Sequence, residues 1–252
     1  MLLTEDISVQ FGGIRAIGGA GFEAEAGRVT GLIGPNGAGK TTMFNVITGL
    51  QKPNTGRVVL DGVDVTRKGT RYRAQSGLGR TFQRLEVFGS LSVRDNILVA
   101  LEARRTTLSR RARNDKADEL LARVGLTAEA NTTADVLPTG TARLLEMARA
   151  LACNPKVLLL DEASSGLDGQ ESERLGELML ELVKEGMAVL LVEHDMDLVM
   201  RVCEYIYVLD FGELIAQGQP SVIRKDPKVQ AAYLGAATAD TPEELLVTEE
   251  VD

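Results

Sequence analysis

Residues 34–42 read Gly-Pro-Asn-Gly-Ala-Gly-Lys-Thr-Thr and fit G-x-x-x-x-G-K-[ST] at Gly34, Gly39, Lys40 and Thr41. The strand-like VTGLI precedes this run and the helix-like MFNVITGL follows it. That strand–loop–helix context marks a phosphate-binding loop. Successive backbone N–H groups from Asn36 to Thr41, with the positive end of the following helix, make a concavity for the β- and γ-phosphates of a nucleoside triphosphate. Gly34, Pro35, Asn36, Gly37, Ala38, Gly39, Lys40, Thr41 and Thr42 are therefore the nucleotide-binding candidates. Lys40 adds a point charge, and Thr41 offers its hydroxyl to a magnesium ion.

A second constellation completes such a site. The apolar run VLLL closes on Asp161-Glu162, and a strand end that delivers two acids can divide the labour between them. Asp161 is expected to hold the metal directly or through water, and Glu162 to polarise the attacking water. The lone histidine, His194, follows the apolar MAVLLVE. In a doubly wound sheet ligands gather at the carboxyl ends of strands, so His194 is expected beside Asp161, hydrogen-bonding the γ-phosphate.

The chain divides by periodicity. Residues 1–60 alternate strand-like runs (LLTEDISVQF, AGFEAEAG, RVTGLIG, GRVVLDG) with Gly-rich turns. Between about Leu85 and Leu151 strand signals vanish, and VRDNILVALEARR, ARNDKADELLARVGL and TARLLEMARALA read as helices. Strands and helices then alternate through VLLLD, SERLGELMLELVKEG, MAVLLVEH, DMDLVMRVC and YIYVLD, whose continuous apolar runs indicate a mostly parallel sheet covered on both faces. The expected fold is α/β: a P-loop NTPase core with a β lobe, residues 1–84 and 152–235, interrupted by a helical subdomain at 85–151.

Composition removes several function classes. No run of about 18 uncharged apolar residues exists, and MLLTEDISVQF lacks a basic start and an apolar signal core, so a cytosolic chain is expected. The net charge of −8 is mostly that of residues 236–252, an acidic stretch with six acids and no Lys or Arg, expected to be a disordered tail. The rest carries −2, which gives no electrostatic case for nucleic acid. Arg104, Arg105, Arg110, Arg111, Arg113 and Lys116 cluster locally as a solvated helix face, with lipid headgroups or an acidic partner as the competing reading. Cys153 and Cys203 lack C-x-x-C spacing and are expected to be buried, reduced thiols.

With these motifs in this order, residues 2–235 resemble the ATP-binding cassette ATPases. The resemblance implies bound ATP and Mg2+, and a closed dimer in which two subunits share each ATP. It makes Phe11 the aromatic that stacks on adenine, where an ordinary core phenylalanine is the competing reading. Gln83 in RTFQ becomes the glutamine that touches magnesium and the lytic water while its loop meets a transmembrane partner. Ser164 to Asp168, SSGLD, becomes the segment that crosses to the second subunit, with Asp168 as the contacting acid.

The signature departs from the family pattern. Leu137, Pro138, Thr139, Gly140 and Thr141 stand where Leu-Ser-Gly-Gly-Gln is usual, so the serine that contacts the opposite γ-phosphate is replaced by Pro138, which has no hydroxyl. One lost charge-assisted hydrogen bond is worth about 1.5–3 kcal/mol, so the resemblance implies a dimer closure that is weakened and not abolished, with Thr139 as the alternative hydroxyl at the expense of a bulkier side chain. GRTFQRLEVFGSLSVRDNI and the ending AYLG are similar to the ATPase subunits of branched-chain amino-acid uptake systems. This implies permease subunits, an extracytoplasmic binding protein that reads the solute, and a position on the inner face of the membrane. A non-transport cassette ATPase and a low-turnover nucleotide-dependent regulator are the alternatives. A GTPase switch fails on the absence of N-K-x-D.

Overall fold

The computed structural model describes residues 1–103 and 108–236. Arg104, Arg105 and the acidic stretch from 237 lie outside the described residues. Along the chain run β1 (Leu2–Phe11), β2 (Ile14–Ala24), β3 (Val29–Ile33), α1 (Lys40–Thr48), β4 (Thr55–Leu60), β5 (Val63–Asp64), α2 (Thr70–Gln75) and β6 (Leu78–Arg80). Next come α3 (Val93–Ala103), α4 (Arg110–Val124), α5 (Thr139–Ala152), β7 (Val157–Asp161), α6 (Gly169–Lys184), β8 (Ala188–Val192) and α7 (Met196–Val202). The chain closes with β9 (Tyr205–Asp210), β10 (Glu213–Gly218), α8 (Pro220–Ile223) and α9 (Pro227–Ala236).

Two sheets result. The smaller is antiparallel in the order β2-β1-β4-β5, and the larger has the order β10-β9-β3-β8-β7-β6 with only the β9/β10 pair antiparallel. Every residue of β3, β7 and β8 is buried. Side chains alternate across a strand, so Leu158 and Leu160 face one apolar cluster while Val157 and Leu159 face the other. One cluster fills the space between the sheets around Phe44 and Met43 of α1. The other is continuous from the large sheet into Val93 and Ile97 of α3, Leu120 and Leu121 of α4, and Leu145 of α5, so the helical insertion shares its core with the sheet.

One expectation needs adjustment. Cys203 is buried, and desolvation pushes its thiol up to about 12, but Cys153 is only partly buried because it follows the last turn of α5. Within the basic cluster, Arg113 pairs with Glu102 at 3.0 Å and Lys116 with Glu119 at 2.6 Å, and Arg110 and Arg111 of α4 are exposed. Among the described residues no helix is long and apolar enough to cross a membrane.

Candidate active site

The phosphate loop joins β3 to α1 and is shaped by two close approaches. A Cβ on Gly34 (φ +152) would sit 1.9 Å from the carbonyl oxygen of Leu209, and one on Gly39 (φ +105) would sit 2.7 Å from that of Ala16, so neither position accepts a side chain. The Ala38 carbonyl accepts from the Gly212 amide at 2.9 Å, which ties the loop to the β9–β10 turn. Lys40 is 8% exposed and donates to the carbonyls of Gly34 (2.6 Å) and Pro35 (3.0 Å). Burial lowers its ammonium pKa, while Glu162 and Asp161 act in the opposite sense. Thr41 is exposed beside it at the start of α1 and Thr42 is half-buried.

Asp161 ends β7 at 2% exposure. Its Oδ2 accepts from Arg80 at 3.0 Å, and Arg80 also donates to Asn45 at 2.8 Å while stacking over Phe82 at 4.9 Å from the ring centre. Burial raises the Asp161 pKa, and the Arg80 bond works against that rise.

Glu162 sits just past the strand in a left-handed backbone conformation (φ 52), unusual for a side chain of this size. Its amide donates to Val192 O at 2.9 Å, so the turn is pinned by the neighbouring strand. The carboxylate lies between two partners, Gln83 Nε2 at 3.1 Å and His194 Nε2 at 2.9 Å. The three catalytic candidates therefore meet in one cluster.

The signature segment and Asp168 lie on neighbouring elements of the same chain. Pro138 caps α5 at its N-terminus, and a Cβ on Gly166 would meet Thr139 Cγ2 at 3.0 Å, so this segment packs against SSGLD. Gly140 is closely hemmed by Glu171 and the Gly166 carbonyl. Asp168 accepts from the Glu171 amide at 2.8 Å and forms a capping box that starts α6. Phe11 stands apart at the end of β1, half exposed, opposite Ile14.

Sequence reasoning missed several participants. Arg143 of α5 donates to the carbonyls of Phe82 (2.6 Å) and Gln83, and Glu146 accepts from the Phe82 amide at 3.0 Å, so the signature helix holds the Gln83 loop by its backbone. The i, i+3 spacing of an Arg and a Glu in RLLEMAR was the available signal. Arg80 and Glu193 carried no signal beyond their positions at strand ends.

Beside this cluster opens a groove of about 1150 Å³, lined by Leu50, Phe82, Phe88, Val99, Arg80 and Arg149 among others. Phe82 and Phe88 are 39% and 45% exposed. The groove shares Arg80 and Phe82 with the neighbourhood of Asp161.

A glycine-shaped phosphate loop on a parallel sheet, with two acids and a histidine at adjacent strand ends, defines a P-loop ATPase. The comparisons place it further. The ABC transporter profile matches residues 17–165, and the profile "Branched-chain amino acid ATP-binding cassette transporter" matches residues 213–239. The high-affinity branched-chain amino acid transport ATP-binding protein LivG of Escherichia coli K12 is 38% identical over 94% of this chain and 98% of its own length. The lipopolysaccharide export system ATP-binding protein LptB of the same organism is 34% identical over 93% of this chain and 97% of its own length. The ADP conformation of the ATP-binding cassette MJ1267 superimposes with a TM-score of 0.84 at 32% identity, covering 93% and 98% of the two chains. The chain belongs to the ATP-binding cassette transporter family, and it is an ATP-binding and ATP-hydrolysing transport ATPase.

Proposed function

We propose that this chain is the ATPase subunit of an importer for branched-chain amino acids or related small polar solutes. The supporting observation is full-length similarity to LivG together with the branched-chain profile over residues 213–239. Export remains the second reading, because LptB matches over nearly the same span.

In this reading the residues divide as follows. Gly34 to Thr42 hold the β- and γ-phosphates through backbone amides and Lys40, whose bonds to Gly34 O and Pro35 O are exchanged for phosphate oxygens. Phe11 offers its exposed ring to the adenine. Thr41, Asp161 and Gln83 present a hydroxyl, a carboxylate and an amide oxygen, a hard-oxygen set that suits Mg2+. When bound, the ion supplies positive charge to the phosphate oxygens. Glu162 accepts a proton from the attacking water, and Gln83 and His194, its present partners, orient water and γ-phosphate.

Leu137 to Thr141 and Asp168 face a second subunit, identical or paralogous, whose phosphates approach the N-terminus of α5. Permease subunits dock in the groove beside the Gln83 loop, where exposed Phe82 and Phe88 offer apolar surface and Arg143 relays motion to α5. The chain is then peripheral on the inner face of the membrane, with an extracytoplasmic binding protein selecting the solute. The boundaries are a core of 1–84 and 152–235 and a helical subdomain of 85–151, held across their boundary by Arg143 and Glu146.

The test is reconstitution with co-purified permeases in proteoliposomes. ATP hydrolysis stimulated by a binding protein loaded with a branched-chain amino acid supports the importer. Co-purification with an export machinery, or hydrolysis insensitive to every permease, overturns it.

A further inference from the structure

Glu193 directly precedes His194, yet it is only 3% exposed. A buried carboxylate is costly unless donors surround it. Here the Ser164 amide donates to Oε1 at 2.7 Å, the Ser164 hydroxyl donates to Oε2 at 2.7 Å, and the His194 amide approaches Oε2 at 3.3 Å. Ser164 opens SSGLD, the segment that packs against Thr139 through Gly166 and ends on the α6 cap at Asp168. The loops after β7 and β8 are also joined by the Glu162 amide on Val192 O and by the Glu162–His194 contact. Glu193 is thus a buried tie between the SSGLD loop and the His194 loop, beside those that Glu162 makes.

We infer that Glu193 is a positioning residue for ATP hydrolysis. It keeps the segment that faces a second subunit in register with the Glu162–His194 pair, so that closure and catalytic alignment become one event. This rests on the reading that Glu162 and His194 act in hydrolysis and that SSGLD faces a partner. The carboxylate offers an acceptor oxygen to each of the two donors of Ser164, and Oε2 also faces the His194 amide. A glutamine offers one acceptor oxygen: its NH2 can still donate to a rotated Ser164 hydroxyl, but it carries no charge and cannot accept from the His194 amide.

The experiment is steady-state ATP hydrolysis by the full chain and its Glu193→Gln, Ser164→Ala and doubly substituted variants, with Glu162→Gln as reference and thermal melting alongside. Glu193→Gln is expected to lose about 10–100-fold in kcat, the equivalent of one charge-assisted hydrogen bond, with ATP half-saturation within about 3-fold of the parent because the phosphate loop is untouched. Ser164→Ala should fall in the same direction by a smaller factor, and the double variant no lower than Glu193→Gln alone, since Ser164→Ala removes only the hydroxyl part of the same Ser164–Glu193 contact. Turnover at the parental rate in Glu193→Gln and Ser164→Ala, with Glu162→Gln inactive, overturns the inference and leaves the assignment of Glu162 intact. Fully additive losses also overturn it. Normal turnover in Glu162→Gln overturns the assignment of the hydrolytic centre itself. If Glu193→Gln does not fold, Ser164→Ala decides, because its side chain sits at a partly exposed position.

Discussion

His194 Nε2 lies 2.9 Å from Glu162 Oε1, and the other carboxylate oxygen of Glu162 accepts from Gln83 at 3.1 Å. The group proposed to activate water is therefore held between two neighbouring side chains. Glu162→Gln keeps the shape and removes the base. Turnover should drop by about 10²–10⁴-fold while Mg-ATP binding persists and a dimer accumulates. Phosphate release and light scattering in ATP measure both, and unchanged turnover would refute the role of Glu162.

Gly34 has no room for a methyl group, since its Cβ would lie 1.9 Å from Leu209 O. Gly34→Ala must move the phosphate loop or β9. The expected cost is on the order of 3 kcal/mol of stability, with loss of nucleotide binding. Urea unfolding and titration with a fluorescent ATP analogue test this. Parental affinity would mean the loop relaxes freely.

The Arg80–Asp161 pair is buried on both sides, with side-chain exposures of 8% and 2%. Removing one partner strands the other charge, so Arg80→Met should destabilise by about 3–5 kcal/mol, and adding Asp161→Asn should restore much of it. Chemical denaturation of the single and double variants gives the coupling. Simple additivity would show that Asp161 rehydrates instead.

Glu146 holds the Phe82 amide from a buried position, and burial raises its pKa above the ordinary 4.5 despite the Phe82 and Arg143 bonds. A carboxyl whose folded pKa is raised binds more protons folded than unfolded. Its stabilising contribution is full below the unfolded value and is lost as pH rises through the folded value. The stability of the parent relative to Glu146→Gln should therefore shrink from pH 4.5 upward. Denaturant midpoints of the two proteins that stay parallel from about pH 4 to about pH 8 would contradict it.

Pro138 caps α5 and supplies no hydroxyl to an approaching phosphate. In the Glu162→Gln background, Pro138→Ser should lower the ATP concentration for half-dimerisation by about 10-fold, one hydrogen bond's worth. Size-exclusion profiles across an ATP series measure it. No shift would show that the missing hydroxyl at Pro138 does not limit closure.

Local chemistry is legible in the sequence. The phosphate loop, the acids closing VLLL, the histidine closing MAVLLVE and the helical character of the middle third are each written within a dozen or so consecutive residues, because backbone geometry and hydrophobic period are local properties. The half-exposure of Cys153 was not legible, since it depends on what covers the end of α5.

What the sequence indicated by itself was which residues are candidates for the chemistry and which strand end or loop carries each. Tertiary structure decided what each of them touches. Gln83 reaches Glu162 across 79 positions and Arg80 reaches Asp161 across 81, because β6, β7 and β8 lie side by side with Arg80 opposite Leu159 and Asp161 opposite Val192. Strand order and register are global outcomes of burying both faces of the sheet, so no local pattern encodes them. Glu193 and Arg143 show the same limit: each reads as an ordinary charge along the chain, and only the packed fold turns one into the tie between two loops and the other into the grip on Gln83.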